Sequence, residues 1–229
     1  MSEASRQPSA GGARAINRAR VRTRLLDSAE ELFAGRGYFG VSVRDITDHA
    51  GTRVAAVSDY FGGKENLFRD VLLRRIHPIN DDRRARLAAL PRTGARSRRL
   101  RALIHAFTEP MLTRAGNDPG WRCYFRFIAQ LANSAQPQQL LVADEYNAIA
   151  GEFVDHLAHV FPEADDAARH DAYLHMLAAT LQVFSTNLRL DSITAGRLRT
   201  DDLDRRHTSL VTFLEGGITH LCTRTSKET

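Results

Sequence analysis

Cysteine is scarce in this sequence. Cys123 and Cys222 are the two it has in 229 residues, far apart and without metal-ligand spacing. A disulfide framework and a cysteine-built metal site are therefore excluded, and both thiols are expected reduced, in a cytoplasmic protein. Long apolar runs are missing too. None approaches the roughly 18 residues of a membrane span. The basic N-terminus has no apolar stretch behind its charges, so no signal peptide and no membrane partner are expected. Lysine is nearly absent: Lys64 and Lys227 are the two, and arginine carries the positive charge. There is no G-x-S-x-G, C-x-x-C, phosphate loop or H-E-x-x-H, so the chain is not expected to be an enzyme and no cofactor is implied. Period-two alternation, hairpin turns and internal repeats are missing as well.

Nine histidines are present, and the pair His156 and His159, one helical turn apart beside Asp155, invites a metal reading. A metal site needs a third ligand and an open position. His170 and His175 are near in sequence but do not share a face. The pair is read as a solvated helix face, and no metal is assigned. A metal-sensing regulator would instead lose its response on His156→Ala.

What charge there is lies unevenly. Lys and Arg exceed Asp and Glu by 32 to 27. Residues 1–24 hold six arginines (Arg6, Arg14, Arg18, Arg20, Arg22, Arg24) against one acid, Glu3. A basic arm favours a polyanion such as nucleic acid or an anionic surface, and the alternative is a solvated tail. Residues 1–17, small, polar and glycine-containing, are expected to be a flexible arm. Residues 78–229 are nearly neutral, 19 basic against 18 acidic, and imply no DNA contact.

Helical periodicity runs through the rest, so the fold class is all-α. Leu25, Leu26, Ala29, Leu32 and Phe33 recur at three- and four-residue steps, giving a helix at about 18–35 that Gly37 ends. The next begins at Ser42, with Asp45 three residues on in a capping-box pattern, and stops at Gly51. A short helix follows at about 52–58, then the loop Phe61-Gly62-Gly63, then a helix carrying Leu67, Phe68, Val71, Leu72 and Arg75. Pro78 is expected to interrupt it, with a basic, alanine-rich helix resuming through Leu90. After a turn at 91–97, helices are expected at about 98–114, 119–133, 138–160, 165–189 and 202–222, with breaks at Gly116 to Pro119, Pro137, Pro162 and Gly196.

Residues 42–60 thus form a helix, a tight turn and a second helix, the spacing of a helix-turn-helix. Ile46, Ala50 and Val57 would hold the helices together, and Gly51 gives the turn its backbone freedom. Small residues at 54–56 let the second helix approach bases in a major groove about 12 Å wide. Arg53, Ser58 and Tyr60 supply donors, and Lys64 opens the next helix facing phosphate.

These residues carry a resemblance. LLDSAEELFAGRGYFGVSVRDITDHAG followed by RVAAVSDYFGGKENLF, within 20–77, resembles the DNA-binding domain of the TetR family of bacterial transcriptional regulators. The ordered set is A-x-x-L-F, then G-Y, R-D-I, A-G at the turn, and F-x-x-K-x-x-L. The resemblance implies a homodimer on a partly palindromic operator, usually repressing until a small molecule releases it. By position it places Ser42, Val43 and Arg44 near DNA. Arg53, Val54, Ala55, Ala56 and Ser58 would face the groove, and Asp59, Tyr60 and Lys64 the backbone. Two positions depart from the pattern: Asp59 stands where an aromatic is common, and Thr52, where valine is common, would cap the second helix. A carboxylate beside phosphate weakens binding unless it accepts from a cytosine amino group. Arg44 is read as a phosphate contact, and Arg53 as either that or a guanine reader. The arginines at 18, 20, 22 and 24 would touch backbone or minor groove, or flank a helix without a partner.

The expected division is an arm at 1–17, a helix-turn-helix domain at 18–77, and a helical ligand-binding and dimerisation domain at 78–229. In the last helix Leu203, Leu210, Leu214, Ile218 and Leu221 form a stripe, and Gly216 and Gly217 allow close approach. The resemblance makes this stripe half of a four-helix dimer bundle; the alternative is packing inside the monomer. Phe107, Met111, Trp121, Tyr124, Phe125, Phe127, Tyr146, Phe153 and Phe184 offer aromatic surface for an unidentified small effector, with Gln130, Gln182 and Asn187 as polar anchors; aromatic residues at helical spacing also serve as plain core. A helix kinked around Arg75 to Pro78 would be the lever between domains. Competing functions are a ligand-independent DNA-binding activator and a protein-binding regulator with weakened DNA reading.

Overall fold

The computed structural model describes residues 10–133 and 141–224. Residues 1–9 of the expected arm, the expected break at Pro137 and residues 138–140 of an expected helix lie outside them. Ten helices and no strand occur among the described residues. The chain divides into two compact units between Leu72 and Leu73.

The first unit opens with α1, Ala10–Arg36, which starts eight residues before the expected boundary. Alanine and arginine, both strong helix formers, take six of the eight positions 13–20 and extend it. Its inward stripe buries Leu25, Ala29, Leu32 and Phe33. Gly37 ends it at φ +68, its amide donating to the Phe33 carbonyl at 2.9 Å. The helix α2, Val43–His49, is capped as the sequence suggests: Ser42 Oγ accepts from the Asp45 amide at 3.1 Å, and Asp45 accepts from the Ser42 amide at 2.7 Å. Hydrogen bonds from Ser42 hold the Asp45 carboxyl below its usual range. Removing this cap with Ser42→Ala should cost about 1 kcal/mol of stability in the first unit, read as a lowered denaturant midpoint by circular dichroism; an unchanged midpoint would show that water serves the helix end equally well.

Gly51, at φ +60, makes the turn to α3, Ala56–Phe61. The helix starts later than the expected 52–58. Thr52 does not cap it: the N-cap is Ala55, without a side-chain bond, and Thr52 Oγ1 is buried with no partner. Arg53 to Ala55 are held in a turn instead. Gly62, at φ +76, ends α3 and leads into α4, Lys64–Ala88. Ile46, Val57, Leu67, Phe68, Val71 and Leu72 are wholly buried, and the Phe33 and Phe68 rings meet edge to face at 5.0 Å.

Pro78 does not break α4, contrary to expectation. In the second unit Arg114 of α5, Arg96–Asn117, donates to the Pro78 carbonyl at 2.7 Å, to Asp82 Oδ2 at 2.8 Å and to the Pro110 carbonyl of its own helix at 3.1 Å. One guanidinium thus ties the Pro78 turn of α4, through its carbonyl and Asp82, to the Pro110 turn of α5. Then follow α6, Pro119–Ala132; α7, Ala143–Val160; and α8, Asp166–Phe184. Asp118 and Asp165 cap α6 and α8. The expected 165–189 helix stops at Phe184 because Thr186 takes φ 47, and Asn187 Oδ1 accepts from the Arg189 amide to open the short α9, Arg189–Ile193. The last helix is α10, Leu203–Thr223, packed on α8 and α5. The core holds Phe107, Phe125, Phe153, Phe161, Phe184 and Met176.

Candidate functional site

In the first unit the turn at Gly51 leaves one run of side chains outside. Arg53, Val54, Ala55, Ser58 and Asp59 are exposed, Val54 to 54%. Ser42 and Arg44 are exposed and Val43, Tyr60 and Lys64 half-buried, while Ala56 is 1% exposed and turns into the core, against expectation.

The charges here are paired. Arg53 Nη2 donates to Asp59 Oδ2 at 2.6 Å. This gives Asp59 a role the sequence left open: it neutralises Arg53 and holds its fork, while leaving the guanidinium accessible. Arg44 lies 3.7 Å from Asp48. Lys64, expected at a phosphate, donates to the Tyr38 carbonyl at 2.7 Å and stands 4.0 Å over the Tyr38 ring. Burial lowers its pKa, opposed by Asp45. Two arginines of α1 pack onto α3: Arg18 over the Tyr60 ring at 5.4 Å, and Arg22 over Phe61 at 5.1 Å while bonded to Asp70 at 2.6 Å. Arg14, Arg20 and Arg24 are exposed on the same helix.

The second unit contains a cavity of about 340 Å³, within the range of small-molecule sites. Of the residues expected at an effector, Met111, Tyr124 and Tyr146 line it, with Phe125 beside them. Phe107, Phe127 and Phe184 do not: they are fully buried core. Phe153 is core too. Trp121 lies under Arg75 and Arg114, at 4.8 and 5.2 Å, and Gln130 is exposed. Gln182 and Asn187 lie apart from it, around α8 and α9. Three polar lining residues escaped sequence reading: Arg83, Asn147 and Tyr173. For Arg83 the signal was present, since Ile76, Ile79, Arg83 and Leu87 share one helical stripe. The Tyr124 and Tyr146 hydroxyls are 3.3 Å apart, and burial pushes the Tyr146 pKa well above the usual tyrosine value.

The α10 stripe faces inward. Leu210, Leu214 and Ile218 are buried within the chain and Leu221 is half-buried. One stripe cannot serve two partners, so the outward surface is different: Gly216, Gly217 and Phe213, the last 69% exposed, with Leu174 exposed on the neighbouring α8.

His207 of α10 is buried against α5. Thr108 Oγ1 lies 2.8 Å from both the Ile104 carbonyl and His207 Nε2, bridging the two. His105, Glu109 and Asp204 surround the ring; burial, then His105, lowers its pKa. A folded value depressed below about 6.5 means the unfolded chain binds the proton first, so stability is intact above that pH and falls as pH drops through it. His207→Gln should therefore lose less melting temperature than the native chain on acidification to about pH 5.5; parallel losses would contradict this. Elsewhere, His156 and His159 sit with ring centroids 6.2 Å apart, and among the described residues no three His, Cys, Asp or Glu converge on a metal position.

A helix-turn-helix with an open face of small residues, joined in one chain to a helical unit with a cavity, defines a class of transcription regulator. Residues 25–71 match the family model described as bacterial regulatory proteins, tetR family, and residues 105–217 the model described as tetracyclin repressor-like, C-terminal domain. The chain belongs to the TetR family of bacterial transcriptional regulators, which are not enzymes. It is 34% identical over 103 residues to the HTH-type transcriptional activator FasR of Mycolicibacterium smegmatis, a match spanning 44% of this chain and 46% of that protein, so less than half of the relative's length. A tetR-family regulatory protein from Rhodococcus RHA1 superposes with a TM-score of 0.63 at 18% identity, over 86% of this chain and 96% of that one. A transcriptional regulator from Saccharomonospora viridis in complex with choline gives 0.57 at 20%, over 86% and 96%. At such identities the likeness shows the fold. Among the described residues no helix is long and apolar enough to cross a membrane.

Proposed function

We propose that the protein is a ligand-responsive DNA-binding regulator, acting in the cytoplasm as a homodimer on a partly palindromic operator and released by a small molecule. The observation that carries this is the exposed run Arg53, Val54, Ala55 and Ser58 beyond the Gly51 turn, a surface with donors and little bulk. Arg44 and the arginines of α1 add phosphate affinity, which should make binding fall steeply with salt. Lys64 holds the loop at Tyr38 and contributes its charge from there.

The outward faces of α8 and α10 are the proposed dimer surface, with Phe213 and Leu174 as apolar contacts and Gly216 and Gly217 admitting a close helix; this replaces the Leu210, Leu214, Ile218 stripe. The cavity is the proposed effector site. An effector that prefers one spacing of the two reading heads shifts the population toward it and changes operator affinity by that difference. Repression is the primary reading. Activation is a second, favoured by the name of the mycobacterial relative.

Fluorescence anisotropy of the purified chain on its own upstream DNA, across a salt series, tests the reading, with a promoter fusion in a deletion strain beside it. Selective, salt-sensitive binding and raised promoter output on deletion support a repressor. Lowered output makes it an activator, and unselective, salt-indifferent binding would overturn DNA regulation altogether.

A further inference from the structure

Arg83 stands on the inward stripe of α4 and is only 7% exposed. Its guanidinium keeps its charge at any ordinary pH. Yet its partners are weak. Nε donates to the Phe107 carbonyl at 3.2 Å, Nη2 reaches the Met111 sulfur at 3.5 Å, and the group lies 3.9 Å over the Phe107 ring. Nearby acids are engaged by other arginines: Glu152 by Arg84, Glu109 by Arg86, and Asp82 by Arg86 and Arg114. A carbonyl and a thioether occupy two of the five N–H donors of a guanidinium, and a buried charge without a counter-charge is costly. The fork also borders the cavity, where Tyr124, Tyr146 and Tyr173 join it. The rest of the lining is chiefly aliphatic, from Ile128, Leu131, Ile149, Leu177 and Leu181.

We propose that this cavity takes a monocarboxylate with an apolar body, its carboxylate on Arg83 and its body against the aliphatic wall. The inference rests on the cavity being the effector site. Charge counting selects the class. One monoanion neutralises one buried cation, and a planar carboxylate matches the fork. A phosphate monoester or dicarboxylate would leave a net negative charge in an apolar cavity. A quaternary amine such as choline would add a second positive one. The hydroxyls of Tyr146 and Tyr173, whose pKa values burial raises, can act as further donors to the carboxylate.

Titration calorimetry on the full chain near neutral pH decides it, using straight-chain carboxylates from hexanoate to dodecanoate, 4-phenylbutyrate, their primary amides, and choline. The expected result is binding of at least one acid, at least about tenfold tighter than its amide, and no choline binding. Arg83→Met should erase the acid–amide difference while melting no lower than the native chain, because it removes an unpaired buried charge. Should that variant fail to fold, the acid–amide comparison on the native chain decides alone, with Tyr146→Phe expected to weaken the acid more than the amide. Amides binding as tightly as acids, or choline binding in preference, would overturn the carboxylate class but leave the cavity an effector site. No binding by any probe would overturn the inference, and if cell extract fractions also left operator binding unchanged, the ligand-responsive reading would fall with it.

Discussion

Ala55→Glu is expected to abolish selective operator binding without harming the fold. Ala55 is exposed, is the N-cap of α3, and makes no side-chain bond there. Glutamate at a helix start is favoured by the helix dipole, so thermal stability should hold or rise slightly. At the DNA the same change adds bulk and a negative charge to the part of the surface proposed to approach base edges. One spoiled edge contact costs about 1–3 kcal/mol, and the proposed symmetric dimer would present the change twice. Affinity should therefore fall on the order of a hundredfold or more, measured by anisotropy beside a melting curve. Native affinity in a folded Ala55→Glu variant would remove α3 from the DNA surface.

Phe213→Arg carries the second large effect. The side chain is 69% exposed in the chain, on the side of α10 away from the buried Leu210, Leu214 and Ile218. Within one chain the change should cost little, since exposed sites are usually within about 0.5 kcal/mol of neutral. Across the proposed two-fold interface it would act twice, because each protomer would present the same patch to the other. Buried aromatic anchors are worth about 2 kcal/mol or more each, and arginine adds repulsion between the copies. The dimer dissociation constant should rise on the order of a thousandfold, seen as a monomer by sedimentation velocity, with operator affinity lost alongside. A Phe213→Arg chain that remains dimeric would move the interface elsewhere.

How far the sequence carried depended on how local the determining physics was. Ser42, Asp45 and Gly51 act within a turn of where they stand, so the capping box and the turn were legible. The start of α3 was not. Thr52 looks like a cap, but three residues of turn intervene, and its hydroxyl ends up buried without a partner. Pro78 looks like a break, yet α4 runs through it, and the Arg114 that clasps this turn comes from a helix that local periodicity does not connect to it. The aromatic residues misled more seriously: Phe107, Phe127 and Phe184 show helical spacing because they are core. What marks the cavity is polar, in Arg83 and Tyr173, and their importance appears once neighbouring helices close around them. The α10 stripe is a similar case, because periodicity shows which side is apolar and leaves open which neighbour covers it.

The most direct measurement is sedimentation equilibrium of the full chain with a fluorescent duplex from its own upstream region, at several salt concentrations. A dimeric regulator predicts two chains per site, with an association constant that falls linearly on a log–log salt plot as phosphate contacts release counterions. One chain per duplex, or binding indifferent to salt, would contradict it.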